Sequence, residues 1–327
     1  LFMTELKNKE IMLAPLAGVT DAAFRIICEK YGADKTFSEM ASVNALVYDN
    51  KQTDDIIYIS PKEKHANIQI FGRDPEKIER AIKEKINPVK NITDLSFNMG
   101  CPAPKIYKNG EGSALMKEVD LVDKITKTLV KSTDKKINVK FRLGVDEQNK
   151  NFVEIGKICE DNGVDYVILH GRTRDQHYSG NANWNDIRKL KDALTIPVIA
   201  NGDVFSVKDF VNIINTTNAD GVMLARGAMG NPFLFKYIKD YLETGSYTKV
   251  TPSEIVDQIK EQYALSLEFK DEKLVVNQMR KHVGWYIKGL PDSSKVRDQV
   301  NKLKTKEEIF DLLDEYKNVL EGWNGRK

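Results

Sequence analysis

The chain of 327 residues is 41% hydrophobic and 30% charged, with 20 Gly and 10 Pro, an ordinary globular composition that excludes disordered, collagen-like and coiled-coil architectures. Its 50 basic and 48 acidic side chains leave a formal charge of +2, so an acidic partner must be met by a local patch rather than by the whole-molecule field. The 3 cysteines lack zinc-type spacing and no apolar run approaches the roughly 18 residues of a membrane span, so a reduced cytoplasmic protein without metal or membrane anchor is expected.

Short apolar runs, each followed by a helical pattern, recur along the first three quarters of the chain. Strands are expected at 11–14, 35–38, 67–70, 92–97, 137–141, 166–169, 197–200 and 221–224. Amphipathic helices are expected between them, for example at 21–31, 75–86, 121–131, 152–162 and 207–215, several opening on Asp, Ser or Pro and closing near Gly or Asn. This alternation predicts parallel strands with right-handed crossovers, and eight units over 1–240 predict a (β/α)8 TIM barrel ahead of an open doubly wound sheet. From 241 to 327 the pattern is helical without strands, at about 253–270, 274–287, 295–301 and 306–320, which defines a second, all-helical domain.

A barrel of this kind carries its chemistry at the C-terminal ends of the strands, and those ends are polar or Gly-rich here. Strand one runs into Pro15-Leu16-Ala17-Gly18, strand three holds Gln69, strand four ends Asn98-Met99-Gly100-Cys101-Pro102, and strand five carries Lys140 and Arg142. The remaining ends are His170-Gly171-Arg172, Asn201-Gly202-Asp203 and Ala225-Arg226-Gly227. The last two suit a phosphate, because Gly lets the backbone approach and Arg226 adds a forked charge. Lys140 calls for an anion or a cofactor oxygen, and Gln69 for a ring edge. A flavin satisfies all of these, with Lys140 at the edge that gains negative charge on reduction, whereas no G-x-G-x-x-G marks a resident nicotinamide site. Cys28 and Cys159 fall inside helical patterns as core residues, but Cys101 lies between Gly100 and Pro102 at a strand end, where packing does not favour sulfur. Spacing leaves open whether its thiol acts as acid or nucleophile.

These motifs resemble those of the tRNA-dihydrouridine synthases. The resemblance rests on Asp94 to Pro102, Gly112 to Met116, Leu13 to Asp21, Val139 to Gly144, His170 to Arg174, Asn201 to Asp203 and Arg226 to Pro232, with Arg280-Lys281-His282 and Gly284-Trp285-Tyr286 similar to the bacterial B-type branch. It departs mildly at Ser96, Pro104 and Glu111. The resemblance implies an FMN-dependent, NADPH-driven reduction of the uridine 5,6 double bond in the tRNA D-loop, with Cys101 as catalytic acid. It places Pro15, Leu16, Ala17, Gln69, Lys140, His170, Asn201, Gly202, Asp203, Ala225, Arg226 and Gly227 on the flavin, and Asn98, Arg142, Arg172 and Lys281 on the substrate, with His170 able to reach either. It also implies a base extruded from the tRNA stack, behind which the loop 102–112 could close.

Residues Lys273 to Lys306 hold nine basic and two acidic side chains, a local excess of +7 that suits an RNA backbone. A monomer is expected. Two other readings compete: a dihydroorotate-dehydrogenase-like flavoprotein acting on a free pyrimidine, and a tRNA-binding barrel without catalysis.

Overall fold

The computed structural model describes residues 6–322. Eight strands, β1 (Glu10–Leu13), β2 (Lys35–Ser42), β3 (Ala66–Phe71), β4 (Asp94–Met99), β5 (Lys136–Arg142), β6 (Tyr166–His170), β7 (Val198–Asn201) and β8 (Gly221–Leu224), close in sequence order into a barrel. Every neighbouring pair is parallel, and β8 returns to pair with β1 through Ile11 opposite Val222. The expected TIM barrel is therefore the observed fold. Helices α1 (Ala22–Lys30), α2 (Val43–Val47), α3 (Lys51–Ile56), α4 (Pro75–Ala81), α5 (Pro104–Lys108), α6 (Val119–Ser132), α7 (Phe152–Asp161), α8 (Trp184–Ala193), α9 (Val207–Thr217) and α10 (Phe233–Thr244) cover its outside.

Side chains alternate across each strand, so the barrel has two apolar layers. Met12, Phe37, Ile168, Ile199 and Met223 fill the inside, while Ile11, Leu13, Val167, Leu169, Val198 and Leu224 face the helices. The N-terminal end is plugged by polar groups. Asp94 accepts from Lys35 Nζ at 2.8 Å and from Tyr166 Oη at 2.6 Å, and Tyr166 Oη accepts from Asn138 at 3.0 Å. The opposite end remains the face open to a ligand.

Two elements differ from expectation. β2 continues past Ser38 with a register shift between Phe37 and Met40. Glu39, a charge that ends the apolar pattern in sequence, is accommodated because its carboxylate accepts the Gly18 N–H at 2.6 Å. The helix expected at 75–86 is α-helical only to Ala81 and continues as a π turn over Ile82–Ile86.

Beyond β8, α10 runs across position 240, and four further helices follow: α11 (Pro252–Leu267), α12 (Glu272–Tyr286), α13 (Ser293–Val300) and α14 (Lys306–Gly322). A capping box of Thr251 and Glu254 starts α11, and the Asp271 carboxylate caps α12. The bundle is fused to the barrel rather than tethered to it. One buried apolar cluster runs through both, Tyr31 Oη donates to Gln258 at 2.6 Å, and Lys270 pairs with Asp21 at 2.6 Å. Gly230, at φ +66°, lies so close beneath α12 that a Cβ there would stand 2.4 Å from the Trp285 carbonyl carbon. His282 is buried in this junction. Its Nδ1 is 3.1 Å from Gln262 Nε2, Gln262 Oε1 accepts from Tyr286 Oη at 2.8 Å, and burial lowers its pKa to about 4. Among the described residues no helix is long and apolar enough to cross a membrane.

Candidate active site

β4 delivers Asn98 and the turn that carries Cys101. Asn98 Oδ1 accepts both the Gly100 N–H at 3.0 Å and the Cys101 N–H at 2.9 Å, while its Nδ2 donates to Gln69 Oε1 at 2.8 Å. Gln69 Nε2 in turn donates to Ser96 Oγ at 3.0 Å. The thiol turn is thus tied by one amide to the residue on β3. From the other side, the Cys101 carbonyl accepts from Ser113 N–H at 3.1 Å and Ser113 Oγ at 2.8 Å. Gly112 makes that docking possible: at φ +59° a Cβ would stand 2.9 Å from the Cys101 oxygen. The segment after Pro102 is therefore a docked turn of helix rather than an open loop.

Burial raises the Cys101 thiol above its ordinary value, against the pull of the Ala103 backbone contact and the charges of Arg142 and Lys140. The group is a protonated thiol at neutral pH. Lys140, one strand over on β5, has no hydrogen-bond partner among the described residues, and burial beside Arg142 lowers its pKa to about 7. An ammonium so placed gains from an anionic neighbour. Arg142 is 3% exposed and donates to the carbonyls of Gly100, Thr173 and His177 at 3.0, 2.9 and 2.9 Å. His170 is 7% exposed, and burial together with Arg142, Lys140, Arg172 and Arg226 holds it far below the usual imidazole range, so it stands neutral.

The ends of β7 and β8 form the anion corner. Asn201, Gly202, Asp203, Ala225, Arg226 and Gly227 line one pocket with His170. Gly202 adopts φ +128° and Asp203 φ +57°. Gly227 is required by proximity, since a Cβ would meet the Val204 carbonyl oxygen at 2.0 Å. The Asp203 carboxylate takes Arg172 through both oxygens at 2.8 and 2.7 Å and Arg226 at 3.0 Å. Desolvation is outweighed there by the Arg172 bonds, so the Asp203 carboxyl lies below its usual range. The corner holds two guanidiniums against one carboxylate and retains a net positive charge.

Tyr178, Trp184 and Phe205 belong to this mouth, and sequence reasoning missed them. The Tyr178 ring is half exposed and stands 4.5 Å from the Arg226 guanidinium and 5.8 Å from that of Arg142. Phe205 is 5.5 Å from Arg226 on another side, and Trp184 Nε1 donates to the Gly202 carbonyl at 3.1 Å. Aromatic residues within polar segments just after strand ends were the available signal. Pro15 to Ala17 follow β1, where Leu16 packs against the inner barrel layer. Lys281 comes from α12, its Nζ 2.8 Å from where a Cβ on Gly18 would be.

The family model described as Dihydrouridine synthase (Dus) matches residues 12–321. The chain belongs to the dihydrouridine synthase family. Among curated dihydrouridine synthase sequences, the probable tRNA-dihydrouridine synthase of Rickettsia conorii is 38% identical, covering 96% of this chain and 95% of the relative. The tRNA-dihydrouridine synthase B of Shewanella oneidensis is 37% identical over 95% of this chain and 96% of its own. Among solved structures, a 2-naphthoyl-CoA reductase complex aligns at a TM-score of 0.54 and 13% identity, covering 75% of this chain and 51% of the other. Histamine dehydrogenase from Rhizobium sp. 4-9 aligns at 0.51 and 13%, covering 78% and 49%. Both likenesses are of fold. Within the dihydrouridine synthase bundle, none of the nine basic residues from Lys273 to Lys306 forms an ion pair among the described residues.

Proposed function

We propose that this protein is a tRNA-dihydrouridine synthase that reduces the 5,6 double bond of a D-loop uridine, with FMN held at the barrel mouth and NADPH as the reductant. The observation that carries the reading is Cys101, a thiol kept protonated beside Lys140 and Arg142 at the end of β4.

The residues present fit the cofactor. The net positive Arg172–Asp203–Arg226 corner and the glycine-lined turns suit its phosphate, and the unpartnered Lys140 ammonium suits its pyrimidine edge. When bound and reduced, the flavin supplies a hydride to C6 of uracil. Everything else is asked of the chain. Cys101 holds the proton that C5 requires, and its raised pKa keeps that proton in place until charge develops on the base. Asn98 fixes the thiol turn through two N–H groups. Arg142 Nη2, which has no hydrogen-bond partner among the described residues, and the Tyr178 hydroxyl are available to the carbonyls of the uracil, where donors stabilise developing negative charge. Arg172 acts on the ligand through Asp203. The base enters by extrusion from the tRNA stack.

The unpaired cations of α12, α13 and the turns around them favour a polyanionic substrate over a free pyrimidine, which has no need of them. Lys281 joins that surface to the β1 turn. The deciding experiment is incubation with NADPH and unmodified tRNA, followed by nucleoside mass analysis. A gain of about 2 Da on uridine, the mass of two hydrogens, is expected. Reduction of a free orotate-type pyrimidine without reduction of tRNA establishes the dehydrogenase reading instead, and protein that takes up no FMN removes catalysis altogether.

A further inference from the structure

Beside the mouth, on the side of β2 to β4, lies a second concave site that the chemistry above does not use. It is a groove of about 600 Å³ between α2 and α5 with the residues that follow α5, walled by Ser42, Asn44, Tyr48, Lys105, Asn109 and Glu111. Glu111 is only 4% exposed, yet among the described residues the one hydrogen bond to its carboxylate is a long 3.5 Å contact from Asn44 Nδ2. A buried carboxylate ordinarily gathers several donors, because losing water is costly for an ion. Burial pushes this carboxyl above its usual value, while the charges of Arg73 and Lys77 pull it back toward the ionised form. Neither cation bonds it: Arg73 holds Glu118 at 2.9 Å and Lys77 donates to Asn44 Oδ1 at 3.1 Å. The groove thus contains a largely buried carboxylate with one long contact and acceptor capacity left over.

Its rim supplies the other parts of a nucleotide site. Tyr48 is 72% exposed, with Lys77 Nζ 5.8 Å from its ring centroid, and offers a ring on which a base can stack. Lys105 forms no ion pair among the described residues and stands at the groove's edge, where a phosphate would pass. Of the four RNA bases, guanine alone presents two adjacent N–H groups, N1–H and N2–H, to a carboxylate that accepts in pairs.

We propose that the Glu111 groove binds a guanine of the RNA substrate beside the extruded uridine, with Glu111 accepting N1–H and N2–H, Tyr48 stacked on the base and Lys105 at its phosphate. The inference rests on the tRNA reading above. The groove adjoins the thiol turn, since Glu111 immediately precedes Gly112 and Ser113, the residues docked on the Cys101 carbonyl. Filling it makes the site selective for uridines with a guanosine nearby.

The test is steady-state reduction of tRNA transcripts by wild type and Glu111→Gln, with inosine, which lacks the N2 amino group, replacing each guanosine flanking the reduced uridine. Glu111→Gln should raise KM for tRNA about tenfold with kcat within about twofold. Inosine should raise the wild-type KM by a similar factor and cost Glu111→Gln nothing further. Equal KM for wild type and Glu111→Gln, or an inosine effect of the same size in both proteins, overturns the proposal. Should Glu111→Gln fold poorly, Tyr48→Ala, a change at an exposed side chain, must raise KM in its place, and an unchanged KM there overturns the proposal equally. Wild-type protein that reduces no tRNA removes both readings, whereas normal reduction without a Glu111 effect removes this one alone.

Discussion

At the barrel mouth, Arg172 and Arg226 are locked onto Asp203, Arg172 buried and Arg226 partly so, whereas Lys273, Lys281, Lys288, Lys295 and Arg297 of the bundle stand in solvent without ion pairs among the described residues. The same charge is used in opposite ways. Held in a low-dielectric corner, a guanidinium recognises one anion in one geometry, and the contact is little screened by salt. Spread over a helical surface, ammonium groups meet a polyanion whose counterions they displace, and affinity then follows ionic strength. The other side of the bundle sharpens the contrast, since Lys260 and Lys317 there pair with Asp314 and Asp257, both at 2.7 Å. Opposite charges neutralise that side and leave one surface basic.

The largest test of the mouth is Cys101→Ala. Loss of a general acid should slow tRNA reduction by about 10²- to 10⁴-fold while flavin absorbance and thermal stability stay unchanged. An undiminished rate removes the proton-donor role. Next comes Arg226→Ala, which should weaken FMN about ten- to a hundredfold by fluorescence titration, as expected for a charge-assisted contact, and leave riboflavin unaffected because it has no phosphate. Equal loss for both flavins places the effect outside the phosphate corner. For the bundle, Lys288→Ala or Lys295→Ala should lower tRNA affinity and reduce the slope of log K against log salt by about one, with FMN affinity the same at every salt concentration.

The last test concerns the junction between the two regions. The His282 pKa lies near 4, below the ordinary imidazole value of 6.5, so the unfolded chain takes up the proton first. The stabilisation is present above pH 6.5 and is lost as pH falls toward 4, by up to roughly 3 kcal/mol. Thermal midpoints measured across that window should fall less steeply for His282→Gln than for wild type.

Most of the barrel was legible in the sequence because each strand is an apolar run of the right length ending in a polar or Gly-rich turn. Gln69, Asn98, Cys101, Lys140, His170 and the Asp203–Arg226 corner could be named for the same reason: each ends or interrupts an apolar strand. What stayed hidden depends on contacts between distant segments. Glu39 disguised the length of β2, since the Gly18 amide that its carboxylate accepts lies 21 residues away. Asn98 reads as a donor to a ligand, but its amide oxygen closes the thiol turn. Tyr178 carries no motif, because its position follows from where its loop is held.

That loop has one more consequence. Arg142 and Arg172 together bind the carbonyls of Thr173, His177, Ser179 and Gly180. The segment after β6 is wrapped around Arg142 of β5 and its own Arg172 as a strap is threaded through buckles. Its length is therefore set in advance. Inserting or deleting a residue between Thr173 and Gly180 would misalign four acceptors at once, so this part of the rim can change its side chains through evolution but not its number of residues.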